Sequence, residues 1–201
     1  MRKKAENSES KNKILLESFK LFACKPWSEV TFLDIEKATG LSRGAILYHI
    51  KNKDNLFDEV MKKFIFTRNS ISTARKSVGL WNNIVSFLED RINEKKEYEE
   101  IGILNVNRAF VYIECNALYF HHGMCEMAIA WSLDELNYWK ALLNEAIEIG
   151  EIKEDTNVEL VAQLFMNIFM GTSYAGMIRP NGYDIDLLKS EFEILYRSLK
   201  K

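Results

Sequence analysis

Few residues of this chain are suited to acid–base or nucleophilic chemistry. The 201-residue sequence contains three histidines, His49, His121 and His122. Histidine is the side chain that most often moves protons in enzymes near neutral pH. No nucleophile, base and acid occur at a recognisable spacing, and no glycine-rich phosphate loop is present. The sequence therefore argues against an enzyme and predicts no cofactor.

The segment 121–126 contains residue types that bind metals. On a helix, His121 would pair with Cys125 and His122 with Glu126, each four residues apart. The two pairs would face different sides of the helix, and no further group of ligands accompanies them. The sequence predicts no metal site here.

A second group of polar residues has the spacing of a helix-turn-helix. Thr31 and Asp34 form a capping-box pattern at the start of one short helix, and Gly40 ends that helix. Ser42 then caps a second short helix that reaches about His49. Two short helices around a glycine-containing turn are typical of DNA-binding proteins, so we expect a helix-turn-helix over about residues 31–50.

The outward residues of this motif are suited to duplex DNA. Thr31 can offer its hydroxyl group to a phosphate, and Gly44 lets the helix backbone approach the groove. Lys53, at the start of the next helix, can reach another phosphate. The predicted DNA-binding residues are Thr31, Ser42, Arg43, Gly44, Ala45, Tyr48, His49 and Lys53.

Residues 10–65 resemble the N-terminal pattern of the TetR/AcrR transcriptional regulators. The matching segments are Thr31-Phe32-Leu33-Asp34-Ile35, Gly40-Leu41-Ser42-Arg43-Gly44-Ala45-Ile46 and Tyr48-His49-Ile50-Lys51-Asn52-Lys53. The chain departs from the family pattern at four positions. Leu47 replaces the usual tyrosine of the recognition helix, Ile50 replaces a phenylalanine, and Glu36 and Thr39 replace alanines.

The resemblance implies a helical C-terminal domain with a small-molecule pocket. The middle of the chain is rich in aromatic residues, which suits an apolar or amphipathic ligand. The predicted pocket residues are Trp81, Phe110, Tyr112, Tyr119, His122, Trp131, Phe165 and Phe169.

The resemblance also implies a homodimer that binds a palindromic DNA operator. We expect the helices over about residues 157–178 and 185–199 to form the interface. Residues 160–178 contain no charged residue, and Gly171, Ala175 and Gly176 offer a flat surface for a partner helix.

The composition predicts an all-α protein. Nine glycines and two prolines are few against the roughly 24 expected for this length, which favours long helices. The first helix is predicted over about residues 9–24, and a solvated basic tail precedes it. Capping-box patterns at Ser132 with Glu135 and at Thr156 with Glu159 predict two later helix starts.

We expect two domains: an N-terminal three-helix DNA-binding domain, residues 1–52, and a C-terminal ligand-binding and dimerisation domain, residues 53–201. Residues 1–65 carry a net charge of +4 and residues 66–201 a net charge of −6, which suits a basic head that meets a polyanion.

The three cysteines, Cys24, Cys115 and Cys125, are expected to be reduced and mostly buried in a cytoplasmic protein without a membrane span. The leading interpretation is a repressor that a small molecule releases from DNA. Two alternatives remain: a helical protein-interaction adaptor without DNA binding, and, less favoured, an enzyme on a helical scaffold.

Overall fold

A computed structural model describes residues 2–66 and 78–201 of the chain. Within these ranges the regular structure is helical, apart from one isolated β-bridge between Ile152 and Lys200. The predicted all-α class is confirmed. The helices group into two compact units.

The first unit contains four helices around an aromatic and aliphatic core. Its elements are α1 (Arg2–Phe22), a 3₁₀ turn (Trp27–Glu29), α2 (Phe32–Thr39), α3 (Arg43–His49) and α4 (Lys53–Val60), which continues into a π-helical segment (Met61–Phe66). Residues 112–121 belong to the same unit. Helix α1 packs against α2, α3 and α4, and its Phe19 and Phe22 are buried. Burial of each such aromatic side chain contributes roughly 1.5–3 kcal/mol.

The second unit contains the remaining helices. They are α5 (Leu80–Glu100), the first part of α6 (Val106–Phe120), α7 (Met124–Glu148), α8 (Val158–Gly176) and α9 (Ile185–Leu199). Trp139 of α7 lies at the centre, with its ring stacked on Phe165 at 4.7 Å. Phe87 and Phe192 meet the same indole edge-on at 5.6 and 5.8 Å. This cluster joins α5, α7, α8 and α9 into one core.

Helix α1 begins earlier than the pattern predicts. It starts at Arg2 and ends at Phe22, so the basic residues expected to form a tail are helical. Residues 2–6 are one arginine, two lysines, one alanine and one glutamate, all of which are good helix formers.

The helix start predicted at Ser132 is wrong. Helix α7 runs unbroken from Met124 to Glu148, and Glu135 is buried within it. Gly123, at φ +81°, precedes the true start, and residues 126–131 contain enough good helix formers to continue through Ser132. A capping-box pattern alone does not identify a helix start, because the same residues also occur inside helices.

The helix start predicted at Thr156 is displaced by one residue, and a second asparagine caps α6. The cap of α8 is Asn157, whose side chain accepts a hydrogen bond from the Leu160 amide at 3.1 Å. The Thr156 hydroxyl instead donates to the Lys153 carbonyl. Helix α6 begins only at Val106, since the Asn105 side chain accepts from the Arg108 amide and caps it. Asp184 caps α9, since its side chain accepts a hydrogen bond from the Leu187 amide at 3.0 Å.

The sequence predicts that Gly176 offers a flat surface to a partner helix, and this prediction is wrong. Gly176 is buried, and a Cβ atom at this position would clash with the backbone of Tyr183 in the same chain. Gly171 and Ala175, by contrast, are exposed. The small residue at 176 therefore serves the close packing of α8 on the loop that leads to α9.

The cysteines are exposed rather than buried. Cys24, Cys115 and Cys125 all lie at the surface. Nearby residues in the chain, such as Phe22 and Ile113, occupy the core instead, so the cysteines are left on the outer side. None of the described helices is both long and apolar enough to cross a bilayer.

Candidate nucleic-acid interface

Helices α2 and α3 and the turn between them are fixed by local hydrogen bonds. The Asp34 amide donates to the Thr31 hydroxyl at 3.2 Å, and the Thr31 amide donates to the Asp34 carboxylate at 2.8 Å. The predicted capping box is therefore present. Gly40 ends α2 in the left-handed conformation, with φ at +68°, where glycine is favoured. The Ser42 hydroxyl then accepts from the Ala45 amide and caps α3.

The two sides of α3 differ in exposure. Ile46 and the following Ile50 are fully buried in the core of the first unit. The exposed residues are Arg43, Gly44, Leu47 and Tyr48, and they form one continuous strip at steps of one, three and four residues. This strip is the surface that α3 presents to solvent.

The predicted DNA-binding residues of α3 do not all lie on this strip. Arg43, Gly44 and Tyr48 do, whereas Ala45 and His49 are half-buried on its flanks. Leu47, which the sequence marks only as a departure from the family pattern, is 42% exposed and belongs to the strip. The sequence signal for its exposure is the four-residue step from Ile46 to Ile50. These two isoleucines mark the buried side of α3, and Leu47, the residue after Ile46, points away from it.

Asp34 already interacts with the polar groups of Thr31. The Thr31 hydroxyl donates to the Asp34 carboxylate at 2.7 Å, and Lys25 Nζ donates to the same oxygen at 3.0 Å. The hydrogen bonds from Thr31, with help from Lys25, hold the pKa of Asp34 well below its usual range. A phosphate at Thr31 would therefore have to compete with a nearby carboxylate, and this contact remains a prediction.

Lys53 and Arg43 are held by neighbouring aromatic rings. Lys53 Nζ donates to the Ser28 carbonyl at 2.6 Å and lies 5.3 Å from the centre of the Trp27 ring. Partial burial lowers the pKa of Lys53. The Arg43 guanidinium group lies 5.2 Å from the centre of the Phe32 ring. Such cation–π contacts restrict the long side chains while leaving their charge at the surface.

The adjacent histidines occupy different environments. His121 Nε2 lies 3.0 Å from Asp58 Oδ1 of α4, and its ring packs on Phe57 at 4.9 Å. His122 is exposed. Among the described residues, no three histidine, cysteine or acidic side chains form a group that could bind a metal ion.

The eight predicted pocket residues divide by burial. Phe110, Phe165 and Phe169 are buried, and their rings contact other core aromatics, such as Tyr98 at 5.3 Å and Trp139 at 4.7 Å. The other five are at least partly accessible: Trp81, Tyr112 and Trp131 are half-buried, and Tyr119 and His122 are exposed. A cavity of about 440 Å³ lies elsewhere in the second unit, lined by Lys95 and residues 179–186. It contains none of the predicted pocket residues.

Comparison with known proteins extends the match at the helix-turn-helix. Residues 14–60 match the model of the bacterial regulatory proteins of the tetR family. The transcriptional regulator AcrR of Shigella flexneri is 39% identical over 57 residues, which cover 28% of this chain and 26% of AcrR. The transcriptional repressor AcnR of Corynebacterium jeikeium is 25% identical over 167 residues, which cover 82% of this chain and 79% of AcnR.

A solved structure shares the whole fold. The SmeT–triclosan complex matches 96% of this chain and 92% of the SmeT chain, with a TM-score of 0.72 and 18% identity. The helix-turn-helix, the helical body and the relatives, which are themselves transcription regulators, together indicate a DNA-binding transcription regulator. Residues 14–60 thus carry the helix-turn-helix region of the tetR family, and the longer alignments relate the rest of the chain to regulators of the TetR/AcrR type.

Proposed function

We propose that this protein is a dimeric repressor that binds a palindromic DNA operator and is released by an apolar or amphipathic small molecule. The observation that carries the proposal is the exposed strip of α3. Its members, Arg43, Gly44, Leu47 and Tyr48, are not needed by the core and project into solvent from a rigid helix. An exposed recognition helix of this kind fits the major groove of B-DNA.

Arg43 and Tyr48 supply the polar contacts in this proposal. Arginine reads guanine through two parallel hydrogen bonds, and a tyrosine hydroxyl donates to a phosphate or a base edge. Lys53 adds a cation beside the helix, and Ser42 and His49 lie at its two ends. In the proposed division of labour, residues 1–52 bind DNA and residues 53–201 bind the ligand and the second subunit.

Dimerisation through α8 and α9 is supported by a second apolar face on α8. Val161, Phe165 and Phe169 face the core of their own unit, yet the opposite side of the helix is also apolar. The exposed apolar residues of this face are Leu160, Leu164, Met170 and Tyr174, with Ile178 just beyond the end of the helix, and the exposed amides Gln163 and Asn167 lie among them and bond to each other. A helix that is apolar on both sides requires a second packing partner. A twofold dimer would place two recognition helices about 34–36 Å apart, one turn of DNA.

An apolar effector is supported by the aromatic character of the second unit. The half-buried Trp81 and Trp131 can meet a ligand without unpacking the core around Trp139. Release from DNA requires that the ligand bind more tightly to a state whose recognition helices do not match the operator spacing. Triclosan, the compound bound in the SmeT complex, is a suitable first probe of this site.

The test of DNA binding compares the Arg43→Ala variant with wild-type protein on duplex DNA over a series of salt concentrations. Loss of one groove-reading arginine is expected to lower affinity about tenfold or more. Lys96→Ala, which removes an exposed cation from α5, is the matched control and is expected to bind like wild type. Wild-type affinity should itself fall steeply as salt increases.

An adaptor without DNA binding is the second candidate. The exposed apolar residues Leu33, Leu47 and Tyr48 on α2 and α3 favour it, since such side chains also suit a protein partner. Folded protein that shows no salt-dependent binding to duplex DNA would contradict the repressor and support the adaptor.

A further inference from the structure

We propose that Leu47 determines sequence specificity by contacting the C5-methyl group of a thymine in the major groove. The proposal rests on the DNA-binding function proposed above. It assigns an apolar reading element to the one position of the exposed strip where the chain carries an aliphatic side chain.

Leu47 has no structural task that explains its identity. The side of α3 that packs on the core is completed by Ile46 and Ile50, both fully buried. Leu47 lies about 100° around the helix from Ile46 and remains 42% exposed. Its apolar surface is exposed to water in the free protein, and burial of that surface against DNA would be favourable in free energy.

The neighbours of Leu47 on the strip allow it to reach a base edge. Gly44 lies three residues earlier, and a Cβ atom there would meet nothing within 4 Å, so the strip has a gap beside the leucine. A leucine side chain is shorter than that of arginine or tyrosine and requires a close approach of the helix. Arg43 lies four residues before Leu47 on the same strip and is exposed, with its guanidinium group 5.2 Å from the centre of the Phe32 ring. The strip therefore pairs a long charged group with a short apolar one.

The chemistry of the major groove makes such a leucine selective. Thymine alone presents a methyl group there, whereas cytosine, adenine and guanine present amino, N7 or carbonyl groups at the edge. Leucine gains from burial against the methyl group. Against any other edge it removes water from a polar group without replacing the hydrogen bond, which is unfavourable.

The test uses a duplex that wild-type protein selects from a random pool. Each thymine of each half-site is replaced in turn by deoxyuridine, which lacks only the C5-methyl group. We expect one thymine per half-site at which this replacement lowers wild-type affinity about fourfold, the value of one buried methyl-sized group. In the Leu47→Ala variant, the affinity ratio between the thymine and deoxyuridine duplexes at that position should fall to about one.

Leu33→Ala is the matched control. Leu33 is an equally apolar, exposed side chain of α2 in the same unit, and its loss should leave the fourfold ratio intact. Because leucine is uncharged, the salt dependence of Leu47→Ala should equal that of wild type.

The proposal is overturned if wild-type protein binds thymine and deoxyuridine duplexes equally at every position, or if Leu47→Ala retains the wild-type ratio. Failure of DNA binding itself would appear earlier and differently, because no sequence would then be selected from the pool.

Discussion

Gly44 is the residue of α3 at which backbone and DNA can come closest. It is exposed, and the space around it is open in the free protein. We expect Gly44→Ala to stabilise the folded chain by about 0.5–1 kcal/mol, because alanine favours a helix over glycine. The same methyl group would stand between α3 and the groove and lower DNA affinity. Thermal unfolding and DNA binding, measured on one preparation, separate the two effects.

A Gly44→Ala variant that gains stability and keeps full DNA affinity would contradict the close approach. Ile46 is a poor comparison here, since its truncation would open the core and lower stability and binding together.

The residue types at the interface could be predicted from the sequence more readily than their orientation. The capping residues Thr31 and Ser42 follow from their side-chain oxygens and positions. The half-burial of Ala45 and the exposure of Leu47 depend on which side of a two-turn helix meets α1. The four-residue step from Ile46 to Ile50 marks the buried side of α3, but a helix of seven residues is too short to show how far that side extends.

At the scale of elements, Glu151 joins the start of α5 to α9. Its carboxylate accepts hydrogen bonds from the Leu80 and Trp81 amides at 2.7 and 3.1 Å, and from the Tyr196 hydroxyl at 2.8 Å. The Trp81 ring stacks on that of Tyr196. Burial, together with the hydrogen bond to Glu151, raises the pKa of Tyr196 to about 12.

Tyr196→Phe should destabilise the protein by about 1–2 kcal/mol near neutral pH, because it removes a hydrogen bond to a charged group. In wild type, the contribution of the Tyr196 hydroxyl to stability is fully present below pH 10, where tyrosine is protonated in both the folded and the unfolded chain. It is lost as the pH rises from about 10 through 12, since the folded pKa lies above the unfolded one.

Ultraviolet titration of phenolate, with denaturant unfolding at several pH values, checks this prediction. Tyr48→Phe, which alters an exposed tyrosine on α3, is the control and should leave stability unchanged. Equal stability of Tyr196→Phe and wild type at pH 7 would show that the Glu151 contact contributes nothing to holding α5.

Helix starts were predictable where a polar cap follows a true loop and unpredictable where a cap-like pair occurs within a helix. Ser132 and Glu135 have the spacing of a capping box, but no glycine or proline just before them interrupts α7. Asn105 and Asn157 cap their helices without an acidic residue three positions later, so no capping-box pattern marks them. Local patterns compete with tertiary packing, which decides such cases.

At the scale of the whole molecule, the α8 face predicts a dimer that can be broken by charge. We expect the double variant Leu164→Glu/Tyr174→Glu to be monomeric, because a twofold interface would bury each carboxylate against its symmetry mate. DNA affinity should fall with it, since a monomer contacts a single half-site. Sedimentation velocity and DNA binding at the same protein concentration measure both changes.

Ile129→Glu/Leu133→Glu is the matched control on α7, where both residues are exposed. It should remain a dimer. If instead the α8 variant remains a dimer with wild-type DNA affinity, the interface lies on another surface.

The all-α fold class could be predicted from the shortage of glycine and proline. The N-terminal helix-turn-helix could be predicted from a motif of 20 residues. The location of the effector site did not follow. Buried Phe110, Phe165 and Phe169 and half-buried Trp81 and Trp131 belong to the same aromatic composition, so composition cannot separate core from pocket.

Selection of bound sequences from a random duplex pool, at one stated salt concentration, is the first test of sequence-specific DNA binding by a dimer. We expect an enriched inverted repeat whose half-sites lie about one DNA turn apart. Absence of any enriched sequence, with the protein folded and dimeric, would contradict it.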